Sequence, residues 1–241
     1  MTPMDDLYVE GEYARRHPDW HREHSAWKSA QVLTMIRRHR LEPRTVTEVG
    51  CGAGGILAAL QKELPAGVGF TGYEIAPAAL ALAQALANPH LRFVQGDFTA
   101  LQPAPVDLLL TMDVVEHVED YLGFLRALRP RAAWHVFHLP LDVSLLSLVQ
   151  PVRLQWARAS VGHLHYFTAE TALAALAAGG YTVTDWFFTA VELDRPPPAA
   201  QHQRLRRLRR LGRRLAPAWT ARLLGGFSLL ALCRAAPTQY S

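Results

Sequence analysis

The sequence predicts an α/β fold built on a doubly wound, mostly parallel β-sheet. Three observations support this prediction. Short apolar segments alternate with helical patterns along the chain, which is typical of parallel strands joined by right-handed crossovers. The segment 106–112 is apolar almost throughout, as expected of a strand buried on both faces. A glycine-rich loop at 50–55 separates the first predicted strand from the first crossover helix.

The predicted elements follow from local patterns in chain order. Pro77 opens one helix, Pro65 ends another, and Gly179-Gly180 closes a third. The predicted strands are 44–49, 68–74, 91–95, 106–112, 132–139, 181–189 and 227–233. The predicted helices are 13–40 after Pro18, 54–64, 77–87, 121–128, 168–178 and the arginine-rich 203–215. The last strand is reached through a long excursion, after the break at 196–198, and not through a simple crossover.

The composition indicates a folded chain without a disulfide framework. Of 241 residues, 50% are hydrophobic and 19% are charged, so global disorder is not expected. The two cysteines, Cys51 and Cys233, lack zinc-type spacing and suit a reducing compartment, so we expect a cytoplasmic protein. Residues 1–10 lack the apolar core of a signal peptide, and no apolar segment has the length of a membrane span.

The positive charge is concentrated in one segment. The formal net charge is +4, and seven arginines lie between 204 and 214, so the global charge does not indicate nucleic-acid binding. Four leucines share one face of this predicted helix, and we expect that face to pack on the sheet: Leu205, Leu208, Leu211 and Leu215. Two alternatives stay open, contact with an anionic membrane surface or with an RNA backbone. The lack of interleaved aromatic residues disfavours RNA.

The glycine loop predicts a nucleotide-like ligand that carries an anionic group. Gly50, Gly52 and Gly54 alternate after the acidic Glu48, and a helix follows. Because glycine has no Cβ, the backbone N–H groups of such a loop can approach a ligand closely, and the helix N-terminus attracts an anion. The same loop satisfies the dinucleotide fingerprint, with Glu74 at a ribose-binding spacing. The loop alone therefore leaves a dinucleotide and other nucleotide-like cofactors open.

Four ordered motifs resemble those of the class I S-adenosylmethionine-dependent methyltransferases, over about residues 44–235. They are Glu48-Val49-Gly50-Cys51-Gly52-Ala53-Gly54, Gly72-Tyr73-Glu74-Ile75, Gly96-Asp97-Phe98 and the segment 107–118. The resemblance implies a Rossmann-like, seven-stranded, mostly parallel sheet with an antiparallel last strand. It also implies S-adenosylmethionine as the cofactor and a small-molecule acceptor, with oxygen as the expected acceptor atom.

The resemblance further implies which residues hold the cofactor. The glycine loop would approach its methionine part, and Glu74 would accept hydrogen bonds from both ribose hydroxyls. Asp97 would lie near the adenine amino group, with Phe98 against the ring. The full set of expected cofactor-binding residues is Glu48, Gly50, Cys51, Gly52, Gly54, Glu74, Ile75, Asp97, Phe98 and Asp113.

Three polar residues after the fourth strand form the first acceptor-side candidate. If Asp113 begins a helix, Glu116 and His117 share its face. In the expected interpretation no metal binds, Asp113 caps the helix and touches the cofactor, and the other two residues brace loops. In the alternative, all three bind a divalent metal that acidifies an acceptor hydroxyl. The Glu-His pair is similar to that of metal-assisted O-methyltransferases acting on ubiquinone precursors and of small-RNA 2′-O-methyltransferases, but Asp113 stands where a Glu is common.

Two histidines before the 168–178 helix form the second candidate. His163 and His165 lie on the same side if their segment is extended, and one of them could act as a base or as a metal ligand. The alternative is that they are hydrogen-bonded within a packed loop, and the same alternatives apply to His138 at the end of the fifth strand. The predicted catalytic residues are Asp113, His117, His163 and His165.

The predicted organisation is a helical cap over residues 1–43, with Tyr13 and Trp20 as lid candidates, and a methyltransferase domain over 44–241. Within the domain we expect an acceptor-side insertion at about 142–167 and the arginine-rich helix at about 200–224. The predicted function is methyl transfer to a small molecule without nucleic-acid binding. Two alternatives stay open: a metal-assisted RNA 2′-O-methyltransferase, and a non-catalytic regulatory protein that binds S-adenosylmethionine.

Overall fold

One seven-stranded sheet organises the protein, whose computed structural model describes residues 20, 22–195 and 203–236. Its strands are β1 Thr45–Val49, β2 Gly69–Glu74, β3 Leu91–Gln95, β4 Val106–Met112, β5 Ala132–Leu141, β6 Tyr181–Thr189 and β7 Phe227–Ala235. Their order across the sheet is β3-β2-β1-β4-β5-β7-β6. β1 to β5 pair in parallel, and β7 runs antiparallel to both β5 and β6. The predicted fold class is confirmed.

Helices alternate with the strands, as the sequence predicts. They are α1 Ser25–Arg38, α2 Gly55–Gln61, α3 Pro77–Gln84, α4 Phe98–Leu101, α5 Tyr121–Leu128, α6 Leu145–Val149, α7 Val152–Trp156, α8 Ala169–Ala178, α9 Val191–Asp194, α10 Gln203–Leu215 and α11 Pro217–Leu224. Short 3₁₀ turns cover Arg22–His24, Val115–His117 and Arg129–Arg131, and a π-helical turn covers Ala157–Val161. The predicted lid residue Tyr13 and the break at 196–198 lie outside the described residues.

Both faces of the sheet are buried, which explains the apolar run of β4. Leu108 and Leu110 pack into a cluster with α1 and α2, and Leu109 packs into the cluster on the opposite face with Phe137. All three β4 leucines are fully buried. Alternation along a strand sends successive side chains to opposite faces, so a strand covered on both sides must be apolar throughout.

The strand order places the ligand crevice. β1 lies between β2 and β4, so the crossovers leave the sheet in opposite directions at the carboxyl end of β1. In open α/β sheets ligands bind at this switch in strand order. The glycine loop follows β1, and the acidic motif Asp113–His117 follows β4, so the fold brings the two sequence motifs to one edge.

The helix α10 packs in the opposite way to the prediction. Leu208, Leu211 and Leu215 are 57%, 58% and 75% exposed, whereas Arg209 is buried. The expectation that the leucine face packs on the sheet is therefore wrong for these three residues. The physical reason is that the inward arginines find carbonyl and carboxylate oxygens on and beside α9, which offsets their desolvation.

Candidate active site

A crevice of about 1670 Å³ runs along the carboxyl ends of β1, β2, β4 and β5. The glycine loop and Glu74 border it on one side, and Asp113, Glu116 and His163 border it on the other. Its volume exceeds the roughly 300–1,000 Å³ of a pocket for one small molecule. The crevice therefore has room for a nucleotide-sized cofactor together with a second molecule.

The glycine loop is fixed by conformation and by packing. Gly50, Gly52 and Gly54 have φ angles of +67°, +52° and +73°, in the left-handed region that favours glycine. A Cβ on Gly54 would lie 2.5 Å from the Phe93 ring, whereas a Cβ on Gly52 would meet no atom within 4 Å. Gly54 is thus needed for packing, and Gly52 presents bare backbone to the crevice, where a ligand can approach it.

Glu74 ties the end of β2 to the glycine loop. Its Oε2 accepts a hydrogen bond from the Gly52 N–H at 2.8 Å, and its Oε1 accepts one from the Ala76 N–H at 2.9 Å. Burial raises the pKa of Glu74, and these backbone hydrogen bonds oppose the shift. Each carboxylate oxygen can accept a further hydrogen bond, so the side chain matches a pair of ribose hydroxyls.

The third motif forms the adjoining wall. The Asp97 side chain caps α4, with its Oδ1 accepting hydrogen bonds from the Thr99 N–H and hydroxyl at 2.8 and 2.7 Å. Phe98 is only 2% exposed, and its ring packs edge-to-face on Tyr73 with centroids 5.0 Å apart. Phe98 therefore belongs mainly to the core, while Ile75, 37% exposed, borders the crevice more openly.

Glu48 and Cys51 complete the predicted cofactor side, and both are buried. Burial raises the pKa of Glu48 to about 8, against an ordinary value of 4.5, although the positive charge of Lys28 opposes the shift. Burial also raises the pKa of the Cys51 thiol, so the thiol stays protonated. Cys51 lines the crevice as a small neutral side chain and not as a nucleophile.

The Asp113 carboxylate lies between two basic side chains, those of Lys28 and His138. Its Oδ2 lies 2.6 Å from Lys28 Nζ, and its Oδ1 lies 2.5 Å from His138 Nδ1. Burial alone would raise the pKa of Asp113, but the charges of His138 and Lys28 outweigh it and hold the pKa well below its ordinary value. Asp113 is therefore a carboxylate locked into a structural network.

The prediction that Asp113 begins a helix, with Glu116 and His117 on the same face, is wrong. The φ of +60° places Asp113 in a loop before the 3₁₀ turn of residues 115–117, so no helix begins at this residue. Its side chain instead contacts Lys28 of α1 and His138 of β5. His138, 3% exposed, holds Asp113 with one ring nitrogen and contacts the Thr189 hydroxyl at 2.8 Å with the other.

Glu116, His117 and His163 form a second buried group, whose ligand-type atoms lie within 4.8 Å of one another. Glu116 is fully buried, and neither of its carboxylate oxygens has a hydrogen-bond partner among the residues described. Burial, followed by the charge of Asp113, raises the pKa of Glu116 well above its ordinary value. Two unsatisfied buried oxygens beside two imidazoles match the donor set of a divalent cation.

A hydrogen bond at Nδ1 fixes the orientation of both imidazoles of this group. His163 Nδ1 donates to Asp142 Oδ2 at 2.6 Å, and His117 Nδ1 donates to the Gly162 carbonyl at 3.1 Å. With Nδ1 protonated, the acceptor nitrogen of each neutral ring is Nε2. Burial, and then the nearby His163, lower the pKa of His117 to about 4, so this ring is neutral at ordinary pH. Such backing is the usual second-sphere support of a metal-binding or base histidine.

Known proteins share this architecture. The family described as "Methyltransferase domain" matches residues 47–133, from the end of β1 to the start of β5. These residues contain the glycine loop, Glu74, Asp97, Asp113 and the Glu116-His117 pair. The predicted resemblance to the class I S-adenosylmethionine-dependent methyltransferases is confirmed over these residues.

Individual known proteins are also similar to this chain. The trans-aconitate 2-methyltransferase of Streptomyces coelicolor is 27% identical over 192 residues, which are 72% of this chain and 62% of that protein. A chain in the complex between the Haloferax volcanii Trm112 methyltransferase activator and a methyltransferase has a TM-score of 0.68 at 21% identity, over 100% of both chains. A Thiobacillus denitrificans S-adenosylmethionine-dependent methyltransferase, solved with S-adenosyl-L-homocysteine, has a TM-score of 0.62 at 15% identity, over 93% of this chain and 98% of that one.

His165 does not join the group of Glu116, His117 and His163, so its predicted place beside His163 is wrong. Its Nε2 donates toward the Val118 and Glu119 carbonyls, and its ring packs on Tyr121. The segment is not extended, because the N–H groups of both Leu164 and His165 bond to the Glu116 carbonyl. The alternation that would align the two histidines is therefore absent at this point.

Sequence reasoning missed three partners of the predicted residues. Lys28 pairs with Asp113 over 85 positions, and nothing local marks it among the basic residues of α1. Thr189 contacts His138 from the end of β6. Asp142 and Thr189 carried one signal, since they lie at the carboxyl ends of β5 and β6, on the edge of the sheet where site residues collect.

Proposed function

We propose that this chain transfers the methyl group of S-adenosylmethionine to an oxygen atom of a small-molecule acceptor. The observation that carries the proposal is one continuous crevice, which joins the glycine loop and Glu74 to the buried group of Glu116, His117 and His163. Methyl transfer from a sulfonium centre is an in-line displacement. Donor and acceptor must therefore be held in one space from which water is excluded.

The cofactor side matches the shape and charge of S-adenosylmethionine. The bare backbone at Gly52 admits its methionine part, and the remaining acceptor positions of Glu74 suit the ribose hydroxyls. When bound, the cofactor supplies an activated methyl group on a positively charged sulfur. The carboxylates of Glu74 and Asp113 border the crevice and favour a cation there.

His163 is the residue best placed to receive the acceptor's proton. Asp142 accepts the Nδ1–H of His163 at 2.6 Å, which fixes the ring and leaves Nε2 as the proton acceptor. An imidazole backed by a carboxylate is a general base whose protonated form is stabilised in place. Transfer of a hydroxyl proton to His163 Nε2 makes the acceptor oxygen a better nucleophile toward the methyl group.

As an alternative to this base role, the same group would hold a divalent cation, with Glu116, His117 and His163 as ligands and His163 Nε2 facing the cation instead of a proton. The cation would supply a Lewis acid that lowers the pKa of an acceptor hydroxyl. The unsatisfied oxygens of Glu116 support this proposal, because a buried carboxylate without a partner carries an uncompensated desolvation cost. Asp113, which the sequence offers as a third ligand, is already engaged by Lys28 and His138.

The acceptor side of the crevice favours a molecule with an apolar body and a polar handle. Val152, Leu154 and Trp156 line the crevice from α7, in the predicted insertion. Apolar walls with few convergent polar groups are typical of small-molecule sites. The Streptomyces coelicolor relative is named for methylating trans-aconitate, so small carboxylic acids belong in the acceptor panel together with phenols and aliphatic alcohols.

The activity is tested by measuring S-adenosyl-L-homocysteine formation from S-adenosylmethionine with this acceptor panel and with total RNA. We expect turnover with a small hydroxyl or carboxyl acceptor and no RNase-sensitive methyl incorporation. RNase-sensitive labelling would favour the RNA 2′-O-methyltransferase alternative. Binding of S-adenosylmethionine without turnover on any acceptor would favour the non-catalytic alternative.

The cation proposal is tested separately with Co²⁺, whose visible absorption reports its ligands without any turnover. We expect the wild-type protein to give ligand-field bands that Glu116→Gln and His117→Gln lose. His165→Gln is the matched control and keeps the bands. A spectrum equal to that of free Co²⁺ would leave His163 as a general base and remove the cation.

A further inference from the structure

The exposed apolar side chains are concentrated on one layer of four helices. Of the twelve large hydrophobic residues that are exposed in the described part of the chain, ten lie on α6, α7, α10 and α11. α11 packs against α6 and α10, and α7 packs against α6, so the four helices are continuous. The ten residues, 43–75% exposed, are Leu145, Leu148, Val149, Val152, Trp156, Leu208, Leu211, Leu215, Trp219 and Leu223. We call this layer the four-helix surface.

The orientation of α10 shows that its leucines are directed outward by specific contacts. Arg206 donates to the Glu192 and Arg195 carbonyls, Arg209 to Glu192 Oε2 and the Leu224 carbonyl, and Arg213 to Asp194 Oδ1. These contacts anchor the arginine face to the protein. Leu208, Leu211 and Leu215 then form a stripe at helical spacing on the opposite side, in the solvent.

The four helices contain no acidic residue. They contain nine arginines, of which Arg206, Arg209 and Arg213 are bound inward and Arg222 pairs with Glu170. Exposed arginines accompany the leucine stripe of α10, at Arg204, Arg207 and Arg214. A surface that combines exposed leucines and tryptophans with exposed arginines is complementary to an apolar layer edged by anions.

The four-helix surface adjoins the mouth of the crevice. Val152 and Trp156 are 64% and 61% exposed, and both also line the crevice. Arg153, between them in sequence, lines it as well. Whatever covers this surface therefore lies next to the acceptor side of the active site.

We propose that the four-helix surface docks on an anionic lipid bilayer, with the leucines and tryptophans in the interfacial region and the arginines at the headgroups. The attachment is peripheral, since no helix in the described ranges is long and apolar enough to cross a membrane. Arginine and leucine on a helix that lies along the interface are the usual chemistry of such attachment. The proposal depends on the surface alone and does not require methyl transfer.

Two other occupants fit the surface less well. A second copy of the chain, related by a two-fold axis, would place the arginines of one surface against those of the other. RNA would satisfy the arginines and could stack on Trp156 and Trp219, but it would leave the eight aliphatic side chains of the surface uncovered. A bilayer with anionic headgroups satisfies both kinds of side chain at once.

The test is sedimentation of the purified full-length chain with vesicles of phosphatidylcholine alone or of phosphatidylcholine mixed with phosphatidylglycerol. We expect partitioning into the mixed vesicles that is at least about tenfold stronger than into the neutral ones and that weakens at high salt. Leu208→Gln/Leu211→Gln should lower partitioning about tenfold. Leu101→Gln, which changes an exposed leucine outside the surface, should leave it unchanged.

The arginines are tested in the same way. Arg207→Gln/Arg214→Gln should lose most of the preference for anionic vesicles, whereas Arg40→Gln/Arg126→Gln, with the same change of net charge, should keep it. Equal binding of all four double and single variants, or no binding to anionic vesicles, would overturn the proposal. A dimer detected by light scattering that the leucine substitutions dissociate would also overturn it. So would RNA that displaces the vesicles and that the leucine variant binds as tightly as the wild type does. Circular dichroism confirms that each variant is folded.

Discussion

The two sides of the crevice are specified in different ways. On the cofactor side, three glycines with positive φ angles lie within five residues, and Glu74 at the end of the next strand bonds to this loop. On the acceptor side, the decisive contacts are side-chain pairs that no local motif marks, Lys28 with Asp113 and Asp142 with His163. The first side therefore depends on a local motif of left-handed glycines, whereas the second depends on side-chain pairs formed by tertiary packing.

The largest expected effect is on the acceptor side. His163→Gln should lower kcat by about 10²–10⁴-fold while leaving the Kd for S-adenosylmethionine within about twofold, because only the proton acceptor is lost. Asp142→Asn should lower kcat in the same direction, since the ring loses its orienting carboxylate. Steady-state kinetics and calorimetry measure the two constants. An equal loss in His165→Gln would show that the assignment of roles to these histidines is mistaken.

A second prediction concerns stability, through the Lys28–Asp113 ion pair on the acceptor side. Lys28→Met should lower the free energy of unfolding by about 2–3 kcal/mol, because the buried Asp113 carboxylate loses its cationic partner. Asp113→Asn combined with Lys28→Met should recover part of this loss, since no unpaired charge remains. Urea denaturation of the single and double variants gives the coupling. Additive losses would mean that the ion pair contributes little.

The sequence sufficed for the fold and for the cofactor side because both depend on short-range signals. β3, β4, β6 and α5 begin and end where alternation and turn residues predict, and Glu74 lies at the predicted strand end. The acceptor side was predicted only in part. Asp113 was assigned to a helix that its left-handed backbone prevents, and His165 was aligned with His163 through an extended segment that does not form.

The prediction that the leucine face of α10 packs on the sheet is wrong for a related reason. Hydrophobic periodicity identifies two faces but does not say which one meets the protein. Here the oxygens on and beside α9 determine the answer, and they belong to a segment with no pattern of its own. The sequence therefore predicted an amphipathic helix and placed its apolar face on the wrong side.

Substitutions in the glycine loop test the roles of Gly54 and Gly52 on the cofactor side. Gly54→Ala should lower the free energy of unfolding by about 2 kcal/mol, because the residue is left-handed and its Cβ would overlap the Phe93 ring. In Gly52→Ala the new Cβ meets no neighbouring atom, so only the left-handed backbone is strained. The free energy of unfolding should then fall by about 1 kcal/mol. The larger effect of this substitution should be weaker cofactor binding. If Gly52→Ala binds S-adenosylmethionine as the wild type does, no ligand approaches that backbone closely.

A pH dependence of stability is also expected on the cofactor side. Between its ordinary pKa of 4.5 and the raised value of about 8, Glu48 keeps its proton in the folded protein and loses it in the unfolded chain. This group therefore destabilises the fold as pH rises through that window, with no further change above it. The stability of Glu48→Gln relative to wild type should increase by about 5 kcal/mol across the window, because each pH unit between the two pKa values contributes about 1.4 kcal/mol. Thermal denaturation at matched pH values measures it, and a constant difference would contradict the raised pKa.

The most direct test of the division between the two sides is calorimetric binding of S-adenosylmethionine to wild type, Glu74→Ala and His163→Gln. We predict that wild type and His163→Gln bind with equal Kd, whereas Glu74→Ala binds at least about tenfold more weakly. Unchanged binding in Glu74→Ala, or lost binding in His163→Gln, would contradict this prediction.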